Sequence, residues 1–295
     1  MPRRRSILLL LVLLAAWPVA AATVPLVVHA DTPLSQALAR DFRAAWRDHG
    51  AALVADLVPA DVALDTVHCY ILPGEQFARY FGDRLPDWGV GVALPPGKLV
   101  AVDHERISTV GPGPVTVFMH EMTHALLYQA AGAAQLPTWL HEGAAMRASG
   151  EWRVADSVAV VLGGHVPSLA SLAGAFPRGG AGAQTAYRTS LAAVTFLERR
   201  HGPGALPRIV AAARRLGDFE RGFEAATGET ADRFSREFDG SMRRRFGWVL
   251  LLFRWPTMFV ILAVLFMVGA VRKLVLARRA LARDAAAEDE RQARP

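Results

Sequence analysis

Residues 120–124 read His-Glu-Met-Thr-His, which is the H-E-x-x-H pattern, and they lie in a run, residues 115–130, without glycine or proline. Such an uninterrupted run predicts a helix. Residues four apart project from one face of a helix, so His120 and His124 can bind one metal ion. Glu121 stands where a carboxylate can take a proton from metal-bound water. The pattern therefore predicts a zinc-dependent hydrolase.

The residues around this pattern are apolar on most sides of the predicted helix, which is typical of a buried helix. Burying two histidines and a glutamate is costly unless they have partners, and a metal ion supplies one. The alternative is a chance pentad whose histidines are satisfied by hydrogen bonds in the core. A catalytic zinc also needs a third protein ligand, so the downstream sequence bears on the choice.

A candidate third ligand follows in residues 136–145, which read Leu-Pro-Thr-Trp-Leu-His-Glu-Gly-Ala-Ala. Pro137 suits the first turn of a second helix, and two helices joined by a short loop run antiparallel. The second helix can therefore bring Glu142 back to the first. His141 is a rival, because adjacent helical residues point about 100° apart and only one of them can face the metal. His165 is a more distant rival.

These motifs resemble the bacterial peptidase-MA-like family of gluzincin zinc metallopeptidases. The similarity rests on H-E-x-x-H at 120–124 and on a W-L-x-E-G-x-A segment at 139–145. It continues with a Tyr-x-x-Ser helix from Tyr187 to Leu197 and an F-E-x-A segment at 223–228, and it spans roughly residues 88–246.

The resemblance implies one Zn²⁺ per chain on His120, His124 and Glu142, with Glu121 as the general base. It also implies that Tyr187 donates a hydrogen bond to the oxyanion of the tetrahedral intermediate, which can be worth about 10²–10³ in rate. The alternative for Tyr187 is an ordinary amphipathic residue, with its ring in the core and its hydroxyl at the rim.

The chain also departs from related families. Zinc aminopeptidases carry an upstream glutamate that holds the amino end of the substrate, whereas residues 87–103 contain no glutamate. We therefore expect an endopeptidase, or another amide hydrolase, rather than an aminopeptidase. Some gluzincins place an acid four residues after the third ligand, where this chain has Met146. The residues that orient the metal ligands must then lie elsewhere, and Glu151 and Asp156 are candidates.

The net charge of +6 and the pI of about 10.2 suggest nucleic-acid binding only until the charge is counted by region. Residues 1–22 hold three arginines, and residues 248–295 hold eight basic and four acidic residues. That leaves 22 basic and 23 acidic groups in residues 23–247. Because no basic stripe remains in the body, we expect no nucleic-acid partner.

The two ends of the chain predict an exported protein with one membrane span. Residues 1–22 combine arginines, an apolar stretch and a run of alanines, as a cleavable signal peptide does, with an uncleaved anchor as the alternative. Residues 248–271 are long and apolar enough for a transmembrane helix, with a buried core helix as the alternative. The basic residues that follow are typical of the cytoplasmic side, but residues 243–245 on the opposite flank are also basic. The signal peptide decides the orientation, because it would export residues 23–247 and leave the charged tail, residues 272–295, in the cytoplasm. The body would then face the periplasm or the extracellular space.

Between these ends, residues 23–114 alternate predicted strands and helices, and residues 115–247 are predicted to be almost entirely helical. Strands first and helices later indicate an α+β fold, here the zincin-like fold that the resemblance implies. Two strands around Pro95-Pro96-Gly97 predict a hairpin at 89–102. By resemblance, this hairpin binds a substrate peptide through its main chain, and an ordinary edge hairpin is the alternative.

The expected function is a membrane-anchored zinc peptidase acting on peptides or proteins. The alternative is a non-catalytic zincin scaffold for binding or assembly in the cell envelope, and the sequence leaves the oligomeric state open. The sequence keeps the base Glu121 beside a complete set of metal ligands, which a scaffold would not need, and this favours the enzyme. His104, near the hairpin, is a further candidate for substrate binding. Cys69 is the only cysteine, so no internal disulfide can form, and its apolar surroundings predict burial.

Overall fold

This computed structural model describes residues 24–82, 85, 89–109, 112–150, 167–174, 176–177, 180–252 and 255–292. The predicted signal peptide at residues 1–22 lies outside the described residues, and so do His165, Glu151 and Asp156.

The protein has a mixed α/β fold that is mostly helical, and in the described part every strand precedes residue 104, as the sequence predicts. The elements in chain order are β1 (Leu26–His29), α1 (Pro33–Leu57), β2 (Val67–Leu72), α2 (Gly74–Phe81), β3 (Gly91–Leu94), β4 (Leu99–Asp103), α3 (Pro114–Ala131), α4 (Thr138–Ser149), a short 3-10 helix (Leu169–Leu172), α5 (Gly180–His201), α6 (Ala205–Leu216), α7 (Phe219–Thr227), α8 (Ala231–Leu252) and α9 (Trp255–Gln292).

Two compact units share these elements. The first contains the four strands, α1 to α3, the ends of α4 and α5, and helices α6 and α7. The second contains the start of α4, most of α5, and helices α8 and α9.

The first unit is built on a sheet with the strand order β1-β2-β4-β3. Strands β1, β2 and β4 run parallel, while β3 pairs antiparallel with β4, so the predicted hairpin is confirmed and β3 is an edge strand. One face of the sheet buries Val67, Cys69 and Val102 completely and packs against α1 and α3. Between these helices, Phe42 stacks on Phe118 with ring centroids 4.5 Å apart.

Helix α1 begins and ends for identifiable reasons. Thr32 and Ser35 form a capping box at its start, where each side chain bonds the other residue's backbone N–H. The sequence predicts a helix over residues 33–50, but α1 runs on to Leu57. The extension follows from packing, because the residues beyond Gly50 bury an apolar stripe that ends with Leu57 at 0% exposure.

The second unit has an aromatic core. Phe234 of α8 packs against Trp139 and Phe196, with ring centroids 5.9 and 5.6 Å away. The carboxylate of Asp239 accepts a hydrogen bond of 3.1 Å from the backbone N–H of Leu169. Burial raises the pKa of the Asp239 carboxyl above its usual value, and this hydrogen bond opposes the rise. The short 3-10 helix is therefore tied to α8.

Helix α9 contains a stretch, Met258–Leu281, that is long and apolar enough to cross a membrane, and none of it is buried. Its bounds differ from the predicted 248–271. Residues 248–252 belong to α8, and the apolar stretch runs ten residues beyond Val271, past Arg272. The predicted span combined apolar residues of two helices, because hydropathy alone does not show where one helix ends and the next begins.

The tip of the β3–β4 hairpin lies directly on α3. Gly97 has a φ of +90°, and a Cβ added there would stand 2.1 Å from the carbonyl oxygen of Ala125. Only glycine permits both the backbone conformation and the close approach. One turn further along α3, Gln129 donates from Nε2 to the carbonyl oxygen of Gly97 at 2.8 Å. The tip of the hairpin is thereby fixed on α3.

Replacing Gly97 with alanine should destabilise the protein more than the same change at Gly217. Gly217 also has a positive φ, +68°, but an added Cβ would meet nothing within 4 Å. We expect Gly217→Ala to lower the free energy of unfolding by about 1–2 kcal/mol, and Gly97→Ala to cost about 2 kcal/mol more from the clash. Denaturant unfolding followed by circular dichroism measures both values. Equal losses would contradict the close approach.

Cys69 lies in β2 at 0% exposure, as the sequence predicts. Burial raises the pKa of its thiol to about 12, and the negative charge of Glu121 contributes to the rise while Arg43 opposes it. The reactive species of a cysteine is the thiolate. At pH 8 only about one thiol in ten thousand would be ionised.

The Cys69 thiol should therefore not react with a disulfide reagent such as dithiodipyridine at pH 8 while the protein is folded. Because it is the only cysteine, guanidinium should expose one thiol per chain that reacts within minutes. The measurement is absorbance of the released thiopyridone before and after denaturation. Rapid reaction of the native protein would show that β2 is not buried in solution.

Candidate metal centre

Helix α3 places two histidines side by side. The rings of His120 and His124 lie edge to face, with centroids 4.9 Å apart, as residues one turn apart on a helix do. His124 is 9% exposed, and the neighbouring Glu121 is equally buried. Burying these groups costs free energy unless polar partners or an ion compensate. The helix therefore holds polar groups in an environment that favours strong polar contacts.

Helix α4 supplies the third group. Pro137 precedes this helix, as predicted, and Glu142 lies in its second turn. One ligand atom from each of His120, His124 and Glu142 lies within 4.8 Å of the other two. Among the described residues, the cluster contains Glu142 and not His141, which is itself buried. Neighbouring residues of a helix point about 100° apart, so His141 and Glu142 cannot both face the same point.

The donor set of this cluster fits a metal of the zinc type. Two imidazole nitrogens and one carboxylate oxygen are the protein ligands of many catalytic zinc sites. Ligand atoms around tetrahedral zinc lie about 3.3–3.6 Å apart, given bonds of about 2.0–2.2 Å. The ligand atoms of the cluster all lie within 4.8 Å of one another, a limit that includes these separations. The same donors also suit other divalent transition metals.

Glu121 faces the edge strand of the sheet. A Cβ added at Gly91 of β3 would stand 2.8 Å from both Cγ and Oε1 of Glu121, and 3.0 Å from Cγ1 of Val117. Gly91 pairs with Val102 of β4 across the hairpin. The absence of a side chain at Gly91 therefore lets the edge strand pass directly over Glu121. Sequence analysis assigned no role to Gly91, since only the packing of β3 on α3 reveals this contact.

Gly143, the residue after Glu142, lets α4 approach α5 closely. A Cβ added there would stand 2.3 Å from the carbonyl oxygen of Ser190 and 2.6 Å from Cγ2 of Val194. This explains in physical terms why glycine follows glutamate in the W-L-x-E-G segment. Tyr187 lies one turn before Ser190 on α5, half-buried, and packs edge-on against Phe176 at 5.2 Å. Its catalytic role stays a prediction.

Arg147, in the last turn of α4, forms a pair of ion pairs. Its guanidinium bonds the carboxylate of Asp56 in α1 and that of Glu198 in α5, and its side chain is 23% exposed. Such a fork on two carboxylates fixes a helix end in position. Sequence analysis missed this residue. The available signal was a basic residue in the last turn of a helix, which does not identify its partners.

His104 follows β4 and is 7% exposed, and within the described part of the chain its Nδ1 has no hydrogen-bond partner. Its backbone N–H donates to the carbonyl oxygen of Leu72 at 3.0 Å. His104 is not one of the three residues of the metal cluster. Met146, where some gluzincins have an acid, is 8% exposed.

No protein-family model, curated protein or solved structure matches this chain. The geometry of the site therefore carries the functional argument.

Replacing Gly143 with alanine should weaken metal binding at the expected zinc site. The added methyl group meets backbone atoms of α5, so α4 must shift and carry Glu142 with it. We expect zinc affinity to fall about tenfold or more, in line with other changes outside the ligand set. Competition with a chromophoric chelator measures the affinity.

Gly222→Ala is the matched control. There an added Cβ would stand 2.4 Å from backbone atoms of Ala213, in a contact between α7 and α6 that holds none of the three cluster residues. This variant should lose stability and keep its zinc affinity. If both variants lose zinc affinity equally, general destabilisation explains the result and the role of Gly143 is wrong.

Proposed function

We propose that this protein is a membrane-anchored zinc endopeptidase whose site is formed by His120, His124 and Glu142 with Glu121 as the base. The observation that carries the proposal is the approach of two imidazoles and one carboxylate to within 4.8 Å, with a second carboxylate on the residue next to the first imidazole. A structural site would use all four positions around zinc for protein ligands, whereas three leave one for water and substrate.

When bound to these residues, zinc would polarise the scissile carbonyl and lower the pKa of a water molecule toward about 7. Glu121 accepts the proton of the attacking water and delivers it to the nitrogen of the leaving amine. Its burial at 9% exposure supports this role, since charge interactions are stronger away from bulk water. Tyr187 donates a hydrogen bond to the developing oxyanion.

The substrate is an extended peptide that pairs with the outer edge of β3. Among the described strands, β3 is the last in the sheet, which supports main-chain pairing of a peptide at its outer edge. The close approach of Gly91 to Glu121 supports this proposal, because a peptide paired with β3 would then lie beside the base. The lack of a glutamate in residues 87–103, where zinc aminopeptidases hold the amino terminus of the substrate, supports an endopeptidase.

The body of the protein is proposed to face the outside of the cell membrane, with α9 as its anchor. The apolar stretch Met258–Leu281 supports a membrane span by its length and composition. The signal-peptide pattern of residues 1–22 supports export of the body, and the basic residues from Arg272 onward support a cytoplasmic tail.

Glu121→Gln should bind zinc and lose hydrolysis, because the amide keeps the size of the side chain but cannot accept the proton. We expect about one zinc per chain in wild type and variant, and a loss of activity of at least about 100-fold. The assay is cleavage of a pool of internally quenched peptides by the full-length protein in detergent, with zinc measured by atomic emission. Glu224→Gln, the same change at an exposed site on α7, should leave activity unchanged.

Two outcomes would contradict the proposal. Cleavage by Glu121→Gln at the wild-type rate would show that Glu121 is not the base. Zinc in the wild-type protein without chelator-sensitive cleavage of any peptide would favour the alternative, a non-catalytic scaffold on the same fold.

A further inference from the structure

Gln129, near the end of α3, bonds two other parts of the first unit through one side-chain amide group. Its Nε2 donates to the carbonyl oxygen of Gly97 at 2.8 Å and to that of Asp65 at 3.2 Å. Its Oε1 accepts from the backbone N–H of Asp65 at 2.7 Å. The amide therefore links α3, the tip of the β3–β4 hairpin and the loop that precedes β2.

The bonds of Gln129 are directed at backbone atoms rather than at side chains. Its own carbonyl oxygen accepts from Arg214 of α6 at 2.9 Å, which holds the end of α3 in place. Lys98, next to Gly97, forms an ion pair of 2.7 Å with Asp65 on the same loop. The hairpin tip is thus held on α3 by hydrogen bonds that depend on the position of its main chain and not on its side chains.

These contacts fix the position of β3 along the metal-binding helix at two points. At one end, Gly91 lies against Glu121. At the other, Gly97 lies against Ala125, the residue after His124, and is bonded by Gln129. Because a strand advances about 3.3 Å per residue, a slip of one residue would move a paired peptide by that distance and turn its side chains over. A misplacement of about 1 Å can already reduce catalysis strongly.

We propose that Gln129 is a positioning residue that sets the register of the substrate-binding strand β3 relative to the metal ligands on α3; this inference rests on the proposed peptidase function. Gln129 does not touch the metal or the substrate. It acts by holding the hairpin tip, so its loss affects ligands that pair with β3 and spares ligands that reach only the metal.

The test uses full-length protein in detergent micelles with cobalt(II) in place of zinc, and follows the visible absorption of the cobalt. Two probes are compared. Acetohydroxamate binds the metal alone, whereas a peptidyl hydroxamate, chosen from a small set as the tightest ligand of the wild type, binds the metal and extends along β3. The ratio of the two affinities measures how much the pairing of the peptide with β3 adds to binding.

The main variant is Gln129→Glu, which loses both donors and sets a carboxylate against the carbonyl oxygens of Gly97 and Asp65. We expect it to bind the peptidyl hydroxamate about fivefold or more weakly, with acetohydroxamate affinity within about twofold of wild type. Gln129→Met, which removes all three bonds at similar volume, should do the same. Gln76→Glu, the same charge change at an exposed position of α2, should change neither.

The outcomes separate this inference from the proposed function. Equal weakening of both probes, or no weakening, overturns the role of Gln129 while leaving the metal site intact. If peptide extension adds no affinity in the wild type, β3 does not bind the peptide and the inference is also wrong. If neither probe changes the cobalt spectrum, the proposed function itself fails. If both Gln129 variants fail to fold, Gln129 is a general stability residue and the inference is overturned.

Discussion

The presence of polar groups in the apolar helix α3 is the constraint on which the rest of this structure depends: the His124 imidazole and the Glu121 carboxylate are buried, and the His120 imidazole is half-buried. Each group loses hydration when it is buried, and an unpaired buried charge is among the most destabilising features a protein can carry. Glu142 of helix α4 belongs to the same cluster as His120 and His124. The proposed divalent cation, shared by these three residues, would offset the cost of removing them from water and would give the arrangement a chemical use.

The same constraint explains why glycines occur at the contacts around the site. Gly143 lets α4 approach α5, and Gly91 lets the edge strand approach Glu121. Gly97 lets the hairpin tip rest on the backbone of α3. In each case a methyl group would stand closer than 3 Å to a neighbouring atom, which close-packed interiors do not accommodate without movement. These glycines serve packing distance, and Gly97 in addition serves backbone conformation.

The apolar surface of α9 poses a separate problem. Large side chains such as Phe259 and Phe266 are 62% and 80% exposed, in a helix none of whose apolar window is buried. In water such a surface is unfavourable by about 25 cal/mol per Å². A bilayer removes that cost, because the hydrocarbon core solvates apolar side chains and the helix satisfies its own backbone hydrogen bonds. This argument supports the proposed anchor independently of any enzymatic role.

The amino-acid sequence by itself determined the local features: the helix that carries His120 and His124, the β3–β4 hairpin, the order of strands before helices, and the burial of Cys69. These follow from periodicity and turn residues, which act over a few neighbouring positions. The tertiary structure decided which of His141 and Glu142 belongs to the cluster and where the apolar helix begins. It also decided the contacts of Gln129 with the hairpin tip and of Arg147 with two carboxylates. Such contacts join residues tens of positions apart, and they depend on which helix faces pack together, which no local pattern encodes.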